Sequence, residues 1–119
     1  METTRQIKRG EIYFAEIPKT CGSVYFGLRP VLVISNEKNN RYSKTITCIP
    51  ITSKQKRQNL PTHVHITGGG LSRESIAMCE NVSNYSVEIL RNCIGSVADN
   101  TEIMRQIEKG IMIQVGISL

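Results

Sequence analysis

Apolar and polar residues alternate through most of this chain, and only its C-terminal part changes period. From Glu11 to Ile17, the apolar residues Ile12, Phe14 and Ile17 are spaced among polar ones, which predicts a first strand. Pro30 to Ser35 is nearly all apolar and β-branched and predicts a buried second strand; Thr45 to Thr52 predicts a third. Thr62-His63-Val64-His65-Ile66 alternates cleanly, with Val64 and Ile66 on one face and both histidines on the other. Ser75 to Cys79 and part of Ile89 to Val97 complete the strands. Then the period lengthens. Asp99-Asn100-Thr101-Glu102 is a helix-start signature, with Glu three residues after Asp. Ile103, Met104, Ile107, Ile111 and Val115 follow at helical spacing. Gly110 costs such a helix up to about 1 kcal/mol, so close packing or an early end is expected there.

The connections are polar. Pro18 to Leu28 is a long loop, Asn36 to Asn40 has room for one helical turn, residues 53–60 are basic, and Gly68-Gly69-Gly70 reads as a hairpin or loop. Five or six short antiparallel strands and a terminal helix predict a mainly β (β+α) fold. It is a small curved barrel with a C-terminal α-helix, whose long loops carry function.

Composition narrows the class. At 119 residues the chain reads as one domain, residues 10–119, behind a flexible basic tail of residues 1–9 carrying Arg5, Lys8 and Arg9. No apolar run approaches the roughly 18 residues that span a bilayer. The polar N-terminus lacks a secretory pattern, so no membrane role and a cytoplasmic location are expected. The net charge of +5 favours a polyanionic partner, nucleic acid first. The cysteines Cys21, Cys48, Cys79 and Cys93 are scattered, without CxxC spacing and far from His63 and His65, so no metal site or cofactor is expected. Cys48, Cys79 and Cys93 read as small core residues and Cys21 as a loop thiol.

The richest stretch is Gly27-Leu28-Arg29-Pro30-Val31-Leu32-Val33-Ile34. Pro30 fixes its own φ and drives Arg29 toward an extended conformation, so a permanent charge sits at a stiff strand edge. The third strand ends in Thr52-Ser53 and runs into Lys54, Lys56 and Arg57. A fork for phosphate, a hydroxyl pair and a cationic loop suit a ribonuclease acting on a backbone phosphate. Each also has a plain reading: a surface ion pair for Arg29, a strand-end residue for Thr52, a solvated loop for the basic run. Tyr25 and Phe26, beside Arg29, could stack an unpaired base or plug the barrel end.

Arg9-Gly10-Glu11-Ile12-Tyr13-Phe14, the Arg29 block, Asn40-Arg41-Tyr42-Ser43, Ile49-Pro50-Ile51-Thr52, Leu60-Pro61-Thr62-His63-Val64, and Ser75 followed by Glu80 occur in that order. In this combination the chain resembles the MazF/PemK (Kid) toxins of bacterial toxin–antitoxin pairs, over roughly residues 8 to 117. The resemblance implies an SH3-like β-barrel, usually a homodimer, and sequence-specific, metal-independent cleavage of single-stranded RNA (mRNA). It implies Arg29 and Thr52 as the catalytic pair. It also implies a cognate antitoxin that blocks the RNA groove, with operator DNA bound only through the toxin–antitoxin complex. Ser53, Lys54, Lys56, Arg57, Tyr25, Phe26, Glu80 and Asn81 are the expected substrate contacts. Two departures stand out. Val24-Tyr25-Phe26 replaces the acidic and amide residues common in relatives, and Glu80-Asn81 stands where relatives often have Glu-Gln. Two other readings compete: a CcdB-like poison of a protein such as DNA gyrase, and a catalytically inert RNA- or antitoxin-binding relative. The absence of tryptophan argues against the first, and the altered loop keeps the second open.

Overall fold

The computed structural model describes residues 6–20, 25–53 and 59–118. Its strands are β1 (Glu11–Ile17), β2 (Gly27–Val33), β3 (Thr45–Thr52), β4 (His63–Ile66), β5 (Ser75–Met78), β6 (Ser83–Ser86) and β7 (Leu90–Ser96). Two helices, α1 (Glu37–Tyr42) and α2 (Thr101–Gln114), join them. The sheet runs β4-β5-β3-β2-β1-β7, every pairing is antiparallel, and β6 lies beside the first half of β3. The fold is therefore mainly β with one long C-terminal helix, as expected. "Barrel" describes it loosely, because β4 and β7 at the two ends of the sheet do not pair. A glycine turn fills that seam instead: a Cβ on Gly70 would overlap the carbonyl oxygen of Ile94 in β7.

Both faces of the sheet are buried. Ile12, Leu32, Ile49, Ile51, Val64, Ile66 and Ala77 meet Ile103, Met104 and Ile107 of α2. Tyr13, Ala15, Ile17, Val31, Val33, Ile46 and Cys48 form a second cluster with Tyr85, Val87 and Leu90. This explains why β2 and β3 read as continuous apolar runs rather than alternating ones.

The helix cap is Asn100, whose side chain accepts from the Ile103 N–H at 3.1 Å; Asp99 was the sequence-based expectation. Gly110 does not end α2. It is buried, and a Cβ there would lie 2.7 Å from Cys79 Sγ, so the glycine permits close helix–sheet packing. Val115 is exposed and caps the helix rather than packing in the core. Strand β6, Ser-Asn-Tyr-Ser, is absent from the hydrophobic pattern because Tyr85 is its only apolar side chain.

The polar turn after β2 forms α1, capped by Asn36. The buried Asn40 side chain accepts from Ser35 Oγ at 2.6 Å and donates to the Ser35 carbonyl at 2.8 Å, fixing the exit of β2. Within the expected tail, Arg9 is anchored: Nε donates to the Ile34 carbonyl at 3.0 Å, and Nη2 pairs with Glu108 of α2 at 3.0 Å. No described helix is long and apolar enough to cross a membrane.

Candidate active site

Strands β2 and β3 pair through Val33–Cys48, Leu32–Ile49 and Val31–Pro50. The ladder stops there, where Pro30 and Pro50 withhold two backbone donors. Arg29 and Thr52 stand two residues beyond that last pair. Beyond the last pair, Leu28–Pro30 and Ile51–Ser53 line a shared cavity of about 360 Å³. Phe14 of β1 and Ile94 of β7 add apolar walls, and the turn 70–73 with Ser75 completes the lining. Among the described residues no carboxylate or imidazole lines it.

Arg29 is held from behind. Its Nε donates to the Phe26 carbonyl at 2.9 Å, and its guanidinium carbon lies 5.4 Å from the centroid of the Tyr25 ring. Cation–π stacking and this hydrogen bond orient the group and leave the outer nitrogens for an anion. Among the described residues no carboxylate pairs with Arg29. Thr52 is buried and Ser53 is exposed at the cavity edge. Phe26 is 41% exposed, with Lys19 Nζ 5.1 Å from its ring centroid.

The remaining expected residues divide. Lys54, Lys56 and Arg57 lie outside the described residues, as does Cys21. Glu80 and Asn81 do not line the cavity. They occupy a short 3-10 turn at the opposite end of β5 from Ser75. There Glu80 accepts from Thr62 Oγ1 at 2.7 Å and meets His63 Nε2 at 2.9 Å. The Leu60 N–H points at His63 Nδ1 (3.4 Å), which assigns the imidazole proton to Nε2 and makes it a donor to Glu80. Burial pushes the Glu80 carboxyl up. The hydrogen bonds from Thr62, its own backbone and His63 outweigh that and hold it below the usual carboxylate range. The cluster fastens the start of β4 to the end of β5.

Sequence reasoning missed Phe14, Ser72 and Arg73 as cavity residues. In sequence Arg73 is marked only as a cation just before β5, which does not place it in the cavity. Cys48 and Cys79 are buried, which pushes each thiol up to about 12, for Cys79 with help from the Glu80 charge. Neither is a nucleophile near neutrality. Among the described residues no group of three or more His, Cys, Asp or Glu side chains could hold a metal ion.

An open, two-faced antiparallel β sheet closed by one C-terminal helix is the fold of the MazF-like toxins. The model of the PemK-like, MazF-like toxins of type II toxin–antitoxin systems matches residues 8–115, and the chain belongs to that family. It is 34% identical over 113 residues to Endoribonuclease EndoA of Bacillus subtilis (strain 168), covering 93% of this chain and 96% of that protein. Its fold matches an endoribonuclease from a mycobacterial species solved in complex with its cognate antitoxin, with a TM-score of 0.71 at 20% identity, over 98% of this chain and 99% of the other. It also matches the Mycobacterium tuberculosis toxin MazF-mt6, with a TM-score of 0.73 at 24% identity, over 92% of this chain and 99% of the other.

Proposed function

We propose that this protein is the toxin of a type II pair and a sequence-specific, metal-independent endoribonuclease acting on single-stranded RNA, chiefly mRNA, in the cytoplasm. The observation that supports this most directly is the convergence of Arg29, Thr52 and Ser53 on one acid-free cavity. In the reaction, a ribose 2′-oxygen gives its proton to solvent water and bonds to the adjacent phosphorus. The P–O5′ bond breaks, and the departing 5′-oxygen takes a proton from solvent water. The products are a 2′,3′-cyclic phosphate and a 5′-hydroxyl. Arg29 stabilises charge on the non-bridging oxygens through its bidentate fork, and Thr52 donates a hydroxyl hydrogen bond to the same phosphoryl group. Arginine keeps its proton at neutral pH, so its role is electrostatic.

The test is incubation of the protein with a long single-stranded RNA in EDTA, followed by mapping of both ends at each cut. Cleavage undiminished by EDTA, leaving 5′-hydroxyl ends, is expected. Activity lost in EDTA and restored by magnesium would overturn the mechanism.

The Tyr25-Phe26 pair divides the work. Tyr25 positions Arg29, while the exposed Phe26 ring offers a stacking face beside the scissile phosphate. Base contacts specify and phosphate contacts position. Phe26→Ala is therefore expected to broaden or move the cut-site preference, with stacking worth on the order of 1–3 kcal/mol per base. Tyr25→Ala should lower the rate at every site alike. An unchanged preference in Phe26→Ala, read by sequencing the fragment ends, would place recognition elsewhere, in the Ser53–Asn59 loop or at Glu80-Asn81.

The protein is further proposed to act as a homodimer, inhibited by an antitoxin through which alone it meets operator DNA. The exposed apolar side chains Leu28, which lines the cavity, and Phe26 support a partner surface there. Light scattering at micromolar concentration should give twice the chain mass; a fully active monomer would rule the dimer out.

A further inference from the structure

The cavity holds a second guanidinium. Arg73 lines it from the turn between β4 and β5, together with Arg29 and Thr52. Its only acidic neighbour in sequence, Glu74, is turned toward His65, with Oε2 3.4 Å from Nδ1. Among the described residues the Arg73 guanidinium has no hydrogen bond or ion pair. Its backbone, by contrast, is held. Ser75 Oγ donates to the Arg73 carbonyl at 3.0 Å, the Leu71 N–H to the Gly68 carbonyl at 3.1 Å, and Gly70 is wedged against the Ile94 backbone.

Two like charges lining one cavity, with no carboxylate between them, repel unless an anion is present. The cavity, about 360 Å³, suits a small-molecule-sized unit. Its walls supply hydroxyls (Thr52, Ser53, Ser72) for a sugar–phosphate and apolar surface (Phe14, Ile94) for a base edge. We propose that Arg73 is a second phosphate-binding residue, holding the backbone phosphate next to the one engaged by Arg29, so that the cavity encloses one nucleotide between two arginines. This rests on reading the cleft as an RNA-cleaving site. It adds a subsite that affects affinity uniformly and carries no base preference.

The test compares wild type, Arg73→Ala, Arg73→Lys and Arg29→Ala. Binding is measured to a single-stranded RNA fully 2′-O-methylated, and so uncleavable, across a salt series. Cleavage is measured on the unmodified RNA. Removing one phosphate contact should weaken binding about tenfold and reduce the slope of log K against log salt by about 0.7. Arg73→Lys should recover most of that slope, because a phosphate accepts a point charge. On unmodified RNA, Arg73→Ala should raise KM at every cut site alike, with kcat reduced far less than in Arg29→Ala. A wild-type slope and KM in Arg73→Ala, with cleavage still dependent on Arg29, would overturn the second-phosphate subsite alone. A wild-type protein that neither binds nor cuts RNA would overturn the cleft reading itself. Arg73 is exposed, so an unchanged melting temperature is expected and separates lost binding from lost folding.

Discussion

Arg29→Ala should reduce RNA cleavage by on the order of 10²- to 10³-fold, the range seen when a single preorganised charge-stabilising donor is removed. The fold should survive. The side chain makes one hydrogen bond, to the Phe26 carbonyl, and one stacking contact, with Tyr25. A partly exposed cation–π contact is worth about 0.5–1 kcal/mol. The melting temperature should therefore fall by only a few degrees while activity collapses. Arg29→Lys sharpens the prediction. Lysine restores the charge but not the planar fork, and it cannot donate from a fixed Nε to Phe26 while presenting two further nitrogens. It should recover only a small part of the rate. Wild-type cleavage by Arg29→Lys, measured under single-turnover conditions, would show that a point charge suffices and that the bidentate arrangement is wrong.

Arg29 and Thr52 could be singled out in the sequence because strand chemistry fixed both. A proline after the arginine and a β-branched run on each side leave little freedom, and both residues line the cavity beyond the last β2–β3 pair. The family resemblance supplied their roles. Arg73 was not legible, because its place depends on where the β4–β5 turn crosses the sheet seam, a contact between residues far apart in sequence. The partners of Glu80 were not legible for a related reason. A carboxylate after a strand looks available, yet Thr62 and His63, both in a block the resemblance had marked, engage its two oxygens. Strand β6 escaped because pairing with β3, assisted by the Thr47–Asn84 side-chain hydrogen bond, holds a segment too polar to show a period.

The largest effect on stability should come from Gly70→Ala. Gly70 has φ +87°, a left-handed conformation that costs a side-chain-bearing residue roughly 1–2 kcal/mol. Space is the greater obstacle, because the new Cβ would overlap the Ile94 carbonyl oxygen, which is backbone and cannot rotate away. The turn or β7 must move. β7 cannot move freely, because it pairs with β1 and thereby holds Ile12 and Val97 in the core beneath α2. A loss of about 3 kcal/mol is expected, which for a domain of this size corresponds to a fall in melting temperature of roughly 10 °C or more. The same displacement would carry Leu71, Ser72 and Arg73 away from the cavity they line with Arg29. Gly70→Ala protein that remains folded at low temperature should thus bind single-stranded RNA more weakly, with the reduced salt dependence expected of Arg73→Ala. Gly68→Ala is the control. Its φ is +84°, so the backbone penalty is similar, but a Cβ there meets nothing within 4 Å. It should lose only the conformational term and keep its RNA affinity. If thermal unfolding shows the two variants equally destabilised, the close approach of the turn to β7 is not what holds the sheet seam together.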